Sequence, residues 1–452
     1  MSSSLLSFLS PAKIEEKLPE NVLPSSVKSG SIVTFRNRVR YLPTSGTQYN
    51  VPGGSQIIQW RVTGNDYLDT ATALVHFKIA ITANEPGAAI QEGIYSIIQR
   101  CRAALNSVIV QDTDNTHVAA NVKVLNTMPR QVYDSGDGQY LGLYKKSLVL
   151  GSTTITPASS IANMEAVSGY YVGAEEETGA SSFYIPLSLI CPAIGAMKTF
   201  LPLRNVGNFE LTLFLEQPEN CFYAPSVEGS LGGAYSLTDL SLEVDSVQLA
   251  APVVQLYDRM ASDVSETGGV VIPVTVDVVQ NINYTGSGQK SVSISRGTTA
   301  LTQLSLVKRN QSDLGDWQVQ ALNTFFCYGQ SRSQIRLGSR LYPTTATDSL
   351  ARAYTETRHA FGMLNNSVQG GLHTRNTYEA DPKDQASFCY AYNFRRVLTE
   401  ELGLDGENSI QSGSIIQYDL TDSPSGAVTI TAVIESLRYV ELKGSAVNVT
   451  GL

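Results

Sequence analysis

From Ser31 onward, apolar and polar residues alternate with a period of two in one short segment after another. That period belongs to half-buried β-strands, whose successive side chains point to opposite faces. In 33–41, Val33, Phe35, Val39 and Tyr41 share one side and Arg36, Arg38 and Arg40 the other, with Asn37 the exception. Ile58, Trp60 and Val62 alternate with Gln59, Arg61 and Thr63. Val75, Phe77, Ile79 and Ile81 alternate with His76, Lys78 and Ala80. The pattern returns in 184–190, 209–216 and 240–244. After a lapse over 250–269, read as a connection, it resumes in 270–278, 292–294, 304–306, 388–394 and 428–442.

Two stretches break the period. Ile90, Ile94, Ile97, Ile98, Cys101 and Leu105 fall at helical spacing and predict an amphipathic helix, with a strand at 107–111 directly after it. A second helix is predicted from Thr347 or Asp348, with Leu350, Tyr354, Thr357, Phe361 and Leu364 on one face and Asp348 placed to cap it. Residues 135–182 and 224–236 are rich in Gly, Ser and Thr and read as long excursions.

The chain therefore reads as all-β: two consecutive eight-stranded sandwiches with short helices and long loop insertions. An arm covers residues 1–29, the first unit 30–255 and the second 256–452. Up-and-down barrels have short hairpin loops and fit poorly. Greek-key jelly rolls, whose crossovers accept long insertions, fit well. No residue-level repeat links the halves, so a duplication would be visible only in the architecture.

Composition narrows the function. Only 16% of the 452 residues are charged, against roughly 25% in an ordinary soluble protein. Apolar content is ample, which excludes disorder for most of the chain. The longest apolar stretch, 269–279, is far short of a bilayer-spanning helix of about 20 residues. A net charge of −9 and a pI near 5.1 argue against direct nucleic-acid wrapping, which needs a concentrated basic face. The N-terminus lacks a basic segment before its short apolar run and does not read as a secretory signal. Five scattered cysteines (Cys101, Cys191, Cys221, Cys327 and Cys389) read as reduced packing residues of a protein made in a reducing compartment.

Catalytic motifs are not found. There is no nucleophile elbow, zinc-protease helix, paired-cysteine motif or phosphate loop. Gly136, Gly138 and Gly142 miss the dinucleotide spacing by one residue. His76, His117, His359 and His373 are not spaced for metal binding, and Glu175–Glu177 reads as a solvated loop tip. The expectation is no enzyme, no metal and no cofactor. Two features remain as candidate contact sites. Arg36, Arg38 and Arg40 on one strand face read either as a solvated face with cross-strand carboxylates or as a contact for an acidic partner. The arm with Leu5, Leu6 and Phe8 reads as mobile or docked under a neighbour.

The order of features resembles the double-jelly-roll major capsid proteins of tailless icosahedral DNA viruses, the group of polinton-like viruses, virophages and large eukaryotic DNA viruses. In the first unit, GIYSIIQRCRAALNSVIVQD (93–112) is similar to that family's helix-then-strand step. FYIPLSLICPAIGAMKTFLPLRNVGNFELTLFL (183–215) is similar to its proline-bounded strand pair and extended apolar strand. In the second unit, IRLGSRLYP (335–343), FCYAYNFRRV (388–397) and SGSIIQYDL (412–420) look like later strands of the family. The arm, 135–182 and 312–330 match nothing in it. The resemblance implies a homotrimer with pseudo-hexameric outline that tiles an icosahedral shell. Its partners would be neighbouring capsomers, penton and minor capsid proteins, and an internal membrane surface. Arg36, Arg38, Arg40, Leu5, Leu6 and Phe8 would then lie at the shell's underside. The competing expectations are a secreted β-sandwich adhesin or carbohydrate-binding protein, a jelly-roll enzyme, and a single-jelly-roll capsid protein.

Overall fold

Among the described residues, sixteen strands form four main sheets, and the second set of eight repeats the pairing order of the first. The computed structural model describes residues 32–450 apart from 83–88, 92, 134–139, 142–148, 151–152, 155–168, 172–180, 224–233, 264–268, 317–321, 323, 364–370, 374, 380–385, 396–405, 411–414 and 445. In the first half the strands are β1 (Val33–Tyr41), β2 (Ile57–Thr63), β3 (Tyr67–Thr82) and β4 (Ile98–Leu105). They continue as β5 (Val108–Asp114), β6 (Ser181–Pro186), β7 (Asn208–Leu215) and β8 (Ala234–Leu249). The second half has β9 (Val270–Tyr284), β10 (Gly288–Ile294), β11 (Leu301–Asn310) and β12 (Arg332–Leu337). Then come β13 (Arg340–Thr347), β14 (Tyr390–Asn393), β15 (Ile416–Asp422) and β16 (Val428–Lys443).

The first sandwich pairs β1-β8-β3-β6 in one sheet and β2-β7-β4-β5 in the other. The second pairs β9-β16-β11-β14 and β10-β15-β12-β13. Each number rises by eight. This is Greek-key jelly-roll winding, in which strands adjacent in sequence lie in opposite sheets except for the β4-β5 and β12-β13 hairpins, and pairing is antiparallel. Short extra strands flank the set: Tyr49–Val51 on β8, Leu201–Pro202 on β3, and β17 (Ala446–Thr450) on β16.

Alternation explains the cores. In β2 every second residue is buried, so Ile58, Trp60 and Val62 meet Leu211 and Leu213 of β7 and Phe77 and Ile79 of the opposite sheet. In the second sandwich, Leu304, Leu306, Ile335, Tyr390, Tyr418, Leu420, Ile430 and Ile434 do the same. The first core does not stop at the first sandwich. Val270, Ile272, Val274 and Val276 of β9, with Val440 and Leu442 of β16, belong to the same apolar cluster. The two units are thus welded by continuous burial.

Several sequence expectations change. The helix predicted over 90–105 is instead a strand, Ala89–Gln91, one 3-10 turn, Ile94–Ile97, and strand β4. Cys101, Ala103 and Leu105 carry a two-residue period that the helical spacing concealed, and seven β7 positions pair with β4. Tertiary pairing overrides the local pattern here. The helix lies further on, as α1 (Thr116–Thr127), buried along nearly all its length. A helix buried all round shows no amphipathic period, so nothing in the local pattern announces it.

The connection over 250–269 contains α2 (Ala251–Ser262), with Val253, Tyr257 and Ala261 buried at four-residue spacing. The segment 184–190 is strand only to Pro186. Beyond it come two short helical turns, Leu187–Ile190 and Pro192–Gly195. These turns touch so closely that a Cβ on Gly195 would lie 2.2 Å from the Ser188 nitrogen, so no other residue fits there. The second predicted helix is α3 (Leu350–Ala360). Its cap is Ser349, whose hydroxyl accepts from the Arg352 N–H. Asp348 pairs with the Arg352 side chain instead.

Candidate interaction surfaces

Among the described residues no group of three or more His, Cys, Asp or Glu side chains is arranged to hold a metal, and no helix is long and apolar enough to cross a membrane. The geometry instead defines an exposed strand edge and a buried seam.

The edge is β1. It closes the β1-β8-β3-β6 sheet on one side, and its pairing to β8 carries a bulge between Val33 and Phe35. Beyond the bulge the register is unbroken to Tyr41, so Phe35 keeps the side of Val39 and Tyr41 as expected, but it stands opposite exposed Gln248 and is itself 55% exposed. Leu42, just beyond, is 62% exposed. Arg36, Arg38 and Arg40 do lie on one face, and they meet carboxylates of the same chain. Arg36 reaches Asp245 at 2.8 Å and the buried Asp69 at 3.0 Å. Arg38 reaches Glu243 at 3.2 Å, and Arg40 pairs with Asp239. Arg36 stands opposite Val247 and Arg38 opposite Asp245, so the Arg36–Asp245 and Arg38–Glu243 pairs run diagonally across the two strands. The hydrogen bond to Asp245 is the main reason Arg36 holds its proton more tightly than usual. Leu5, Leu6 and Phe8 lie outside the described residues.

This ladder is unequal, and a pair of substitutions should expose it. Arg40→Met removes an exposed ion pair and should cost less than about 1 kcal/mol. Arg36→Met strips a counter-charge from buried Asp69 and should cost about 1–2 kcal/mol. Thermal unfolding of the two variants side by side checks the order, and equal shifts would dissolve the distinction.

The seam is formed where α1 lies on the outer face of β9, β16 and β11. Val118 and Val122 pack with Val307, Phe325 and Ala391, and Ala119 packs with Val279 and Val433. Polar bonds cross the same plane. Thr113 donates to the Asp277 carbonyl at 2.6 Å, Arg438 to the Val110 carbonyl at 3.1 Å, and Lys123 to the Asp277 carboxylate. Burial opposes a charged Lys123, but Asp277 and Glu435 outweigh it and raise its pKa. The seam also holds two of the four histidines. His117 donates from Nδ1 to the Ile98 carbonyl at 3.2 Å. His373 bonds Asn126 of α1 through Nε2 and Ser387 of the second unit through Nδ1, each at 2.9 Å. Sequence reasoning placed neither there, because a lone histidine carries no signal of burial. His76 lies on β3, and His359 in α3 as expected. All five cysteines are buried and form no disulfide.

Inside the second sandwich sits a further charged group. Asp422 is 0% exposed on its side chain and accepts from Lys308 at 3.1 Å, Lys290 at 2.8 Å and the Tyr284 hydroxyl at 2.5 Å. Lys308, 1% exposed on its side chain, also donates to the Cys327 carbonyl at 2.7 Å and lies over the Phe388 ring.

No protein-family model matches the chain, and no curated protein matches it in sequence. Solved structures do match in shape. The Faustovirus major capsid protein aligns over 93% of this chain and 92% of its own, at 9% identity and a TM-score of 0.61. The quasi-atomic model of the PBCV-1 virus capsid aligns over 93% and 98%, at 10% identity and 0.56. The mavirus major capsid protein aligns over 96% and 95%, at 11% identity and 0.51. Both jelly rolls are matched in every case, since each alignment runs nearly end to end. At such low identity the likeness establishes architecture: the chain has the double-jelly-roll fold of these viral major capsid proteins.

Proposed function

We propose that the chain is the major structural subunit of an icosahedral virus shell, three copies closing into a trimer with a pseudo-hexameric outline. One observation carries this reading: the same eight-strand winding occurs twice in one polypeptide, fixed by a buried seam. Each chain then supplies two near-equivalent corners, and three chains supply six. Such a block tiles a flat facet, and its neighbours are further copies of itself, with penton and minor capsid proteins at special positions. The low charge of the chain suits wide contacts, because few ions need to lose their water. Its acidity fits a shell that does not grip the genome.

The outer edge of β1, with half-exposed Phe35 and the Arg36, Arg38 and Arg40 ladder, is our proposed contact strip for a neighbouring molecule or an internal membrane surface under the shell. The arm with Leu5, Leu6 and Phe8 is assigned the same side. No catalytic role and no cofactor belong to this reading.

Light scattering on size-fractionated protein tests it. The expected mass is about three times 48.8 kDa, with a hexagonal outline in negative-stain images. A stable monomer at tens of micromolar would overturn the trimer, and a monomer that binds glycans would favour the adhesin reading.

A further inference from the structure

α1 and α3 hold the same place in the repeat. α1 follows β5 and α3 follows β13, eight strands later, and each turns one face to its own sandwich. Ala120 and Val124 of α1 join the first core, and Ala353 of α3 joins the second. Thr357, one turn after Ala353, donates to the Cys389 carbonyl and accepts from the Ala391 N–H. Matching Ala353 and Thr357 to Ala120 and Val124 brings Ala351, Thr355 and Glu356 to the places of Val118, Val122 and Lys123. Those three positions of α1 make the seam: Val118 and Val122 pack on the second unit, and Lys123 pairs with Asp277. In α3 Ala351 and Thr355 are exposed and Glu356 is half-buried. With the Tyr354 and Tyr378 rings, Ala351 and Thr355 border an open hollow.

The receiving face is repeated as well. α1 seats on β9, β16 and β11, whose counterparts in the first sandwich are β1, β8 and β3. The side of β1 turned away from Tyr41 and the core carries Arg36, Arg38 and Arg40, each 41–47% exposed. Between the two settings the charges are inverted. Within the chain a helix lysine, Lys123, meets strand carboxylates, Asp277 and its register partner Glu435. In the second setting the carboxylate, Glu356, is on the helix and the cations are on the strand. Glu356 has no ion pair among the described residues. A guanidinium has five N–H donors, and Arg40 engages its own chain through Nη2 alone.

Resting on the trimer reading above, we propose that the outer face of α3 seats on the β1-β8-β3 face of the next copy, so that the contact between copies repeats the seam within each copy. The inverted charge pair decides which helix takes which face. Seated wrongly, α3 would set Glu356 against Asp277 and Glu435, and α1 would set Lys123 against three arginines. Both arrangements oppose like charges. The two sandwiches are thereby made to alternate around a closed ring. The arginine face then belongs to a neighbouring copy and not to a membrane.

Thiol labelling and light scattering test the seating together. All five native cysteines are buried, so Thr355→Cys introduces an exposed thiol on the outer face of α3 without touching the core. In the trimer its reaction with a bulky maleimide should be at least about tenfold slower than that of a free thiol at the same pH, because only the dissociated fraction reacts. Glu356→Arg brings a fourth cation to the ladder and should raise the trimer dissociation constant about tenfold or more, and Glu356→Gln should raise it less. A wild-type trimer that Glu356→Arg leaves equally tight, or in which the introduced thiol reacts as a free one, overturns this seating and leaves the trimer standing. A monomeric wild type removes the trimer reading, and the seating with it.

Discussion

Replacing Asp422 with alanine is expected to destabilise the protein by about 3–5 kcal/mol, well above the cost of breaking any pair in the β1 arginine ladder. Asp422 is the carboxylate that both Lys308 and Lys290 meet, and it is fully buried. Removing it leaves the Lys308 ammonium inside the second sandwich without that counter-charge, next to the Cys327 carbonyl and two aromatic rings. It also removes the acceptor of the Tyr284 hydroxyl. Burial first, and then that hydrogen bond, hold this hydroxyl's proton far above its ordinary range. The Coulombic gain of a buried pair rarely exceeds the cost of dehydrating both ions, so deleting both charges should be milder than deleting one. The double variant Lys308→Met/Asp422→Leu should therefore recover most of the loss. Thermal unfolding of the single and double variants decides: a single variant within about 1 kcal/mol of wild type would mean that water reaches the cluster and screens it.

Lys308 also shows where sequence legibility ends. β11 reads LTQLSLVKRN and is buried at nine consecutive positions. Lys308 and Arg309 are neighbours, so the pleat sends one into the sandwich core and the other into the seam. Adjacent basic residues are ordinarily read as solvated, and nothing in the chain before or after them marks a strand covered on both faces. Where only one face is covered, the sequence is transparent: β2 alternates throughout and β7 from Phe209 onward, and the doubling of the fold follows from counting such segments.

The elements at the seam are the opaque ones. α1 is buried all round and has no polar stripe to give it a period. β4 carries a helix-like spacing that its pairing with β7 overrides. The arginine ladder lies between. Its common face is visible in the two-residue spacing, but its partners Asp69, Asp239, Glu243 and Asp245 lie in β3 and β8, up to 209 positions away. Those distances are set by Greek-key winding and leave no mark on local sequence.

The seam also makes stability depend on pH, in a window that histidines set. His117 is 3% exposed, and its pKa is lowered to about 3, by burial first and by the Arg309 charge second. An unfolded histidine titrates near 6.5. A depressed folded value means that the stabilising contribution is complete above pH 6.5 and is lost as pH falls toward 3, because the unfolded chain takes up a proton that the folded chain refuses. Between pH 7.5 and 5 this amounts to about 2 kcal/mol, at 1.36 kcal/mol per pH unit. His373 acts in the same direction. Burial and then Arg358 lower its pKa to about 4, and its part-buried ring contributes a smaller share. Its bond to Asn126 is directional, since the Asn126 Nδ2 is committed to the Val122 carbonyl and only Oδ1 faces the ring. Thermal unfolding at pH 7.5, 6.5, 5.5 and 5 should show a falling Tm, above the range where carboxylates of the unfolded chain protonate. His117→Gln keeps an N–H for the Ile98 carbonyl and cannot titrate, so its curve should be flatter by about one proton's worth of slope. A wild-type Tm that stays level down to pH 5, or a variant that tracks wild type, would remove His117 as the cause and place the pH response of the seam elsewhere.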